Sequence, residues 1–182
     1  MNLKNANINR SLMVAAFMLL IIFVGRLWLH PPNFTPLGAI AVLAAFYLPK
    51  KIGWLVVPAI LLMTDLWLGF YNPGLQLVVY ASFLFYWLGG LWSARTNSPL
   101  KILSVGIVSG LLFFITTNGM VWLTTGYYGS GIEGLMAAYV AGLPFLRNMI
   151  IGDLVFITGL VILPVMSVMS VQRLPSFSNF SQ

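Results

Sequence analysis

The stretch KILSVGIVSGLLFFITTNGMVWL, residues 101–123, decides the fold class. Beyond Lys101 it carries no charge. Crossing the hydrocarbon core of a bilayer takes roughly 20 predominantly apolar residues, and this run supplies them without interruption. The rest of the chain is of the same kind. It has 182 residues, 60% hydrophobic and 7% charged, with a mean hydropathy of +0.96. A soluble domain of this length cannot hide so much apolar surface, because surface falls too slowly with size. The sequence therefore predicts an all-α integral membrane protein.

Working outward from residues 101–123, five more runs qualify as spans: about 11–29, 36–48, 52–69, 76–93 and 148–169. A further apolar stretch, residues 134–145, is too short to cross. It reads as a short external helix before the last span, ending ahead of Pro144. The expectation is one transmembrane domain over residues 1–182, with an N-terminal tail 1–10 and a C-terminal tail 170–182. Lys4 and Arg10 precede the first run as they would in a signal peptide. No small-x-small cleavage site follows, so that run reads as a retained helix.

Charge sets the orientation. Six crossings put both termini on one side. Placed in the cytoplasm, they bring Lys4, Arg10, Lys50, Lys51, Arg95, Lys101 and Arg173 inside, leaving Arg26 and Arg147 outside. That is the positive-inside pattern. The net charge of +6 thus punctuates apolar runs rather than forming a basic patch, which argues against nucleic acid as a partner. The absence of cysteine removes disulfides, thiol nucleophiles and thiolate metal sites.

The same assignment places all three acids on the outer side: Asp65 and Asp153 near the outer ends of their spans, Glu133 in the external connection. A carboxylate at a membrane-helix centre costs about 2.5–3.5 kcal/mol on insertion scales. Asp65 and Asp153 are therefore either pinned to neighbouring helices or in contact with a ligand. Arg147 is a poor same-helix partner for Asp153, since six residues subtend about 240°. Ser130 and Glu133 have the spacing of a capping box. Asn118, beside Thr116 and Thr117, has more donors and acceptors to satisfy than a threonine and is a binding candidate. Trp122, Tyr127 and Tyr128 read as an aromatic belt, and all three could also stack on a flat ligand. Asn148 closes the external stretch from Thr124. His30, the sole histidine, makes no metal site by itself.

Enzyme signatures are missing. There is no Gly-x-Ser-x-Gly, no phosphate-cradling loop, and Ile150-Ile151-Gly152-Asp153 stands where an intramembrane aspartyl protease needs Gly-x-Gly-Asp. We expect no catalytic residues and no cofactor.

Four ordered motifs, NFTPLGAIAVLAAFYLPK, TDLWLGF, TNGMVW and LPFLRNMIIGDLVF, resemble those of an uncharacterised family of small bacterial six-helix membrane proteins. Its pattern is similar to the substrate-binding S components of energy-coupling factor (ECF) transporters. The nearest functional relatives are solitary S components for vitamin B12. The resemblance implies residence in the bacterial inner membrane and an outward-facing pocket for a vitamin or similar micronutrient. It implies as partners that small molecule, membrane lipid, and an ECF energising module or another membrane complex. It implies a pocket built by the outer helix ends and by HPPNFTP, GFYNPG and the stretch from Thr124 to Asn148, and the pocket residues we expect are Asn33, Asp65, Asn118, Trp122, Arg147, Asn148 and Asp153. Two departures stand out. The Ala-x-x-x-Ala spacing that docks S components falls at Ala41 and Ala45, in the second span rather than the first. No cysteine is present to ligate cobalt. The alternative is a small accessory or assembly subunit of a larger membrane complex, without transport activity.

One stretch carries its own geometric argument. In HPPNFTPLGA, residues 30–39, Thr35-Pro36 reads as a helix start. That helix must stop by Pro49-Lys50-Lys51, so about 13 residues give roughly 20 Å against a core of about 30 Å. Residues 31–35 must then dip into the outer half of the membrane as non-helical backbone, which is tolerated at depth only where protein buries it or it lines a cavity. Asn33 becomes the first choice for a ligand contact.

Overall fold

The computed structural model describes residues 31–96 and 98–166, together with Leu20. His30, both tails and the first predicted span, apart from Leu20, fall outside those residues. Among the described residues all regular structure is helical. Helix α1 is Leu37–Tyr47, α2 is Lys50–Gly53, α3 is Val56–Leu68, α4 is Pro73–Ser93, α5 is Pro99–Thr125 and α6 is Gly131–Ile157. A π-helical turn, Thr158–Ile162, extends α6. Four stretches are long and apolar enough to cross a membrane: Lys50–Leu68, Pro73–Ser93, Pro99–Thr125 and Gly131–Met166.

The helix ends follow local chemistry. Asn72 caps α4, its side chain accepting from the Leu75 amide at 3.0 Å, and Pro73 fills the first helical position. Pro99 does the same for α5, which ends at Gly126 in the left-handed region (φ 67°). Leu48 turns extended ahead of Pro49 and stops α1.

Two expectations are corrected. The predicted short external helix and the last span are one continuous helix, running through Pro144. A proline costs one backbone bond and crowds the preceding turn, but α6 is held along its length against α5. Gly142 lies against Phe114 and Asn118, and Gly110 against Ile150. Ser130 does take the N-cap position of α6, but without a side-chain capping bond. The second correction is at Thr35-Pro36. Pro36 is the N-cap of α1, and no side chain caps that helix.

Small residues set the interhelical distances, as packing in lipid requires. A Cβ on Gly90 would lie 3.1 Å from the Val42 backbone and 2.7 Å from Ala45, joining α4 to α1; one on Gly89 would strike Val105 of α5 at 2.6 Å. Helix α1 is buried on every side, from Ala39 to Ala44, as befits a helix apolar all round. Ala41 and Ala45 are therefore packed inside and do not form a docking stripe. The long helices instead turn Leu77, Val108, Ile115, Val140 and Val155 outward, an apolar exterior suited to lipid.

Aromatic residues stand at both ends of the bundle. At the basic end Lys101 lies 5.5 Å above the Trp92 ring, and the Trp54 indole donates to the Lys51 carbonyl. At the far end stand Phe70, Tyr71 and Trp122. From Lys101 to Trp122 is about 31 Å along α5, the thickness of a hydrocarbon core. Helix α1, with 11 residues, spans about 16 Å and fills only the basic half.

Candidate functional site

The seven residues singled out from sequence do not converge on one point. They divide among two carboxylate–tyrosine pairs, a re-entrant turn and the α5–α6 hairpin.

The first pair lies toward the far end. The Tyr80 hydroxyl donates to Asp65 Oδ2 at 2.6 Å, and Gln76 Nε2 donates to Tyr80 Oη at 3.1 Å and to Asp65 Oδ2 at 3.4 Å. Helix α3 brings the carboxylate, and α4 brings both donors, one turn apart on the same face. Asp65 is 1% exposed. Gln76 and Tyr80 are half-buried, beside the α3–α4 connection. Thr64 is spent on its own helix, bonding to Ile60 and Leu61 carbonyls.

The second pair is sealed. The Tyr86 hydroxyl donates to Asp153 Oδ2 at 2.6 Å, and the two residues are 0% and 3% exposed. Glycines on two further helices make the room. A Cβ on Gly38 of α1 would collide with the Asp153 carboxylate and the Tyr86 ring. On Gly110 of α5 it would lie 3.3 Å from Tyr86 Oη and 3.4 Å from Asp153 Oδ2. Four helices thus meet on one hydrogen bond. Its depth corrects the sequence reading of Asp153. Tyr86 stands nine residues before Arg95, about 13 Å from the basic end, whereas Tyr80 stands about 22 Å from it. Asp153 lies near the middle of the helix bundle with Tyr86, not beside Asp65.

Residues 31–34 form the turn. Phe34 N donates to the Pro31 carbonyl at 3.0 Å, Pro32 sits at the second position, and Asn33 at the third has φ 63°. A proline followed by positive φ is a type II turn, which favours glycine or asparagine at that place. Asn148 Nδ2 donates to the Pro32 carbonyl at 3.1 Å, and Phe34 packs on Phe156 with centroids 5.3 Å apart. The turn therefore lies along α6 about 16 Å above Lys101, level with Leu112. Residues 31–34 are non-helical and pack along the middle of α6, against Asn148 and Phe156. Prolines 31, 32 and 36 have no amide to satisfy there, and both carbonyls named above are bonded. Asn33 and Asn148 are brought together in one substructure, where Asn33 shapes the backbone.

The remaining three serve the hairpin or its outside. Asn118 bonds back to the Phe114 carbonyl at 2.9 Å. The Trp122 indole donates to the Gly129 carbonyl at 3.1 Å and holds the α5–α6 connection. Arg147 is exposed on the outer face of α6. Sequence reasoning passed over Gln76, Tyr80 and Tyr86. Gln76 did leave a signal, as the lone amide in the otherwise apolar α4, with Tyr80 four residues on. Tyr86 left none, because its partner is 67 residues away.

A family model, described as a family of unknown function (DUF6580), matches residues 6–177. No curated protein and no solved structure matches the chain.

Proposed function

The chain belongs to the DUF6580 family, whose function is unknown, and we propose that this member is an S-component-like membrane protein that binds a small micronutrient at its far end and mediates its uptake. The observation that carries this reading is the half-buried Asp65–Gln76–Tyr80 cluster beside the α3–α4 connection. Asp65 is already committed to hydroxyl and amide donors. A ligand that presents its own donor, such as an amine, amide or hydroxyl, can take the place of Tyr80 without leaving the carboxylate unpaired. Helix α1 is short, and among the described residues the 31–34 turn and side chains such as these lie beyond its N-terminal end. Irregular backbone at depth beside polar groups is what a membrane binding site uses. On the positive-inside rule the lysine-bearing end is cytoplasmic and the cluster opens to the opposite side of the inner membrane. The protein acts by binding and carrying, not by catalysis, with membrane lipid and either an energising module or another membrane complex as its surroundings.

The test is binding by the purified protein in lipid nanodiscs against a panel of vitamins and cofactors, read by thermal shift and by mass spectrometry of retained small molecules. Asp65→Asn and Gln76→Ala should each weaken the binder by about tenfold, the cost of one hydrogen bond to a charged group. A panel with no binder, or a binder indifferent to both substitutions, removes this reading. The competing reading, an accessory subunit of a larger complex, draws on a different residue, Arg147.

A further inference from the structure

Among the described residues Arg147 has no counter-ion. The 182 residues hold three acids. Asp65 is buried with Tyr80 and Gln76, and Asp153 is buried with Tyr86 some 240° around α6 from Arg147. Glu133 is on the same helix, 14 residues nearer the far end, about 21 Å away. Arg147 forms no hydrogen bond or ion pair with any described residue and is exposed.

Its depth makes this costly. Gly110 against Ile150 and Asn118 against Gly142 set the α5–α6 register, which puts Arg147 level with Phe113. That is about 18 Å above Lys101 and about 13 Å below Trp122. A cation facing hydrocarbon there carries a penalty of several kcal/mol unless something outside the chain relieves it.

Three sources are available, and two fail. A lipid phosphate lies beyond the aromatic level. The arginine side chain points toward the N-terminus of α6, hence toward the far end, but reaches only about 7 Å of the 13 Å. A second copy of this chain, inserted with the same orientation and paired across this face by a two-fold axis, would set Arg147 against its own twin. What remains is a carboxylate from another polypeptide. The surface suits one. Val140, Leu143, Ile151 and Leu154 are exposed apolar residues flanking Arg147. With it they recur at spacings of three and four, the seam of a helix–helix contact, in which a single charged position selects partner and register.

We propose that the outward face of α6 centred on Arg147 is a docking surface for a transmembrane helix of a different protein that carries an aspartate or glutamate at that depth. This surface is separate from the Asp65 cluster, and it stands whether or not that cluster binds a ligand.

The experiment is photo-crosslinking in native membranes of the full chain, with benzoylphenylalanine replacing Leu143 or Ile151, and replacing Leu88, an exposed residue of α4, as control. Crosslinks from the two α6 positions should reach a membrane segment containing a carboxylate. Arg147→Glu should lower their yield about tenfold or more, and changing the partner's acid to lysine should restore it. Arg147→Leu, which removes the charge but keeps the apolar face, should lower the yield while leaving thermal stability at least as high. Crosslinks only to lipid, only to a second copy, or only to segments without an acid overturn the proposal. So does a yield that Arg147→Glu and Arg147→Leu both leave unchanged, or no crosslink at all.

Discussion

A single hydroxyl ties together the centre of the molecule. Tyr86 Oη is the donor to Asp153, and Gly38 and Gly110 give the pair its space. Tyr86→Phe keeps the ring and removes only the donor. Loss of that bond to a buried carboxyl should destabilise the protein by about 1–3 kcal/mol, measured as the thermal unfolding midpoint in detergent. Gly38→Ala should cost a similar amount, about 1–3 kcal/mol, because the added methyl meets a packed ring and a carboxylate rather than open space. Asn33 separates two roles cleanly. Its positive φ is a backbone demand that glycine meets and valine does not. Asn33→Gly should preserve stability, and Asn33→Val should lower it. If the asparagine side chain also contacts ligand, Asn33→Gly alone will lose binding while unfolding at an unchanged temperature. At this scale sequence reading picked Asp65, Asp153 and Asn33 as unusual, since a carboxylate in an apolar run and an asparagine after two prolines are visible without neighbours. It did not identify their partners, because hydrogen bonds spanning 67 residues leave no periodic trace.

Among the elements, α4 and α5 match the sequence expectation within a few residues, because proline at the first helical position and a long apolar run are both local signals. Helix α6 followed one local signal and overrode another. Its start after Ser130 agrees with the sequence, but Pro144 suggested a break into two helices, and the structure has one. The reason is packing: continuous small-residue contact with α5 on both sides of Pro144 outweighs one missing backbone bond. The consequence can be measured. Pro144→Ala restores an amide to the Val140 carbonyl, so in a continuous helix it should raise stability by about 1 kcal/mol or more. Were the chain broken at that point, the change would be neutral.

On the scale of the whole molecule, the two aromatic levels about 31 Å apart along α5 define the slab, and everything else takes its depth from them. The cysteine-free chain is well suited to testing this. Single cysteines at Tyr127 and Trp54 should react with membrane-impermeant thiol reagents from opposite sides. Cysteines at Asn33 and Arg147 should react slowly from either side, and equal rates at positions 33 and 127 would place the 31–34 turn at the surface instead. Composition and hydropathy alone were enough for the class, for most helix positions and for the half-length of α1, since those follow from how many apolar residues lie between charges and prolines. Length arithmetic also led to the expectation of non-helical backbone ahead of α1, and residues 31–34 form a turn packed along α6. What it could not supply was the sorting of polar residues within the bundle. Asp65 and Asp153 looked like one outer cluster and are two, at different depths, because a residue's depth depends on where its helix begins, and α6 begins at Gly131. Arg147 looked like a member of that cluster and faces outward. Depth and facing are properties of helices packed on one another, set by glycine contacts between segments distant in the chain, and only the tertiary structure decides them.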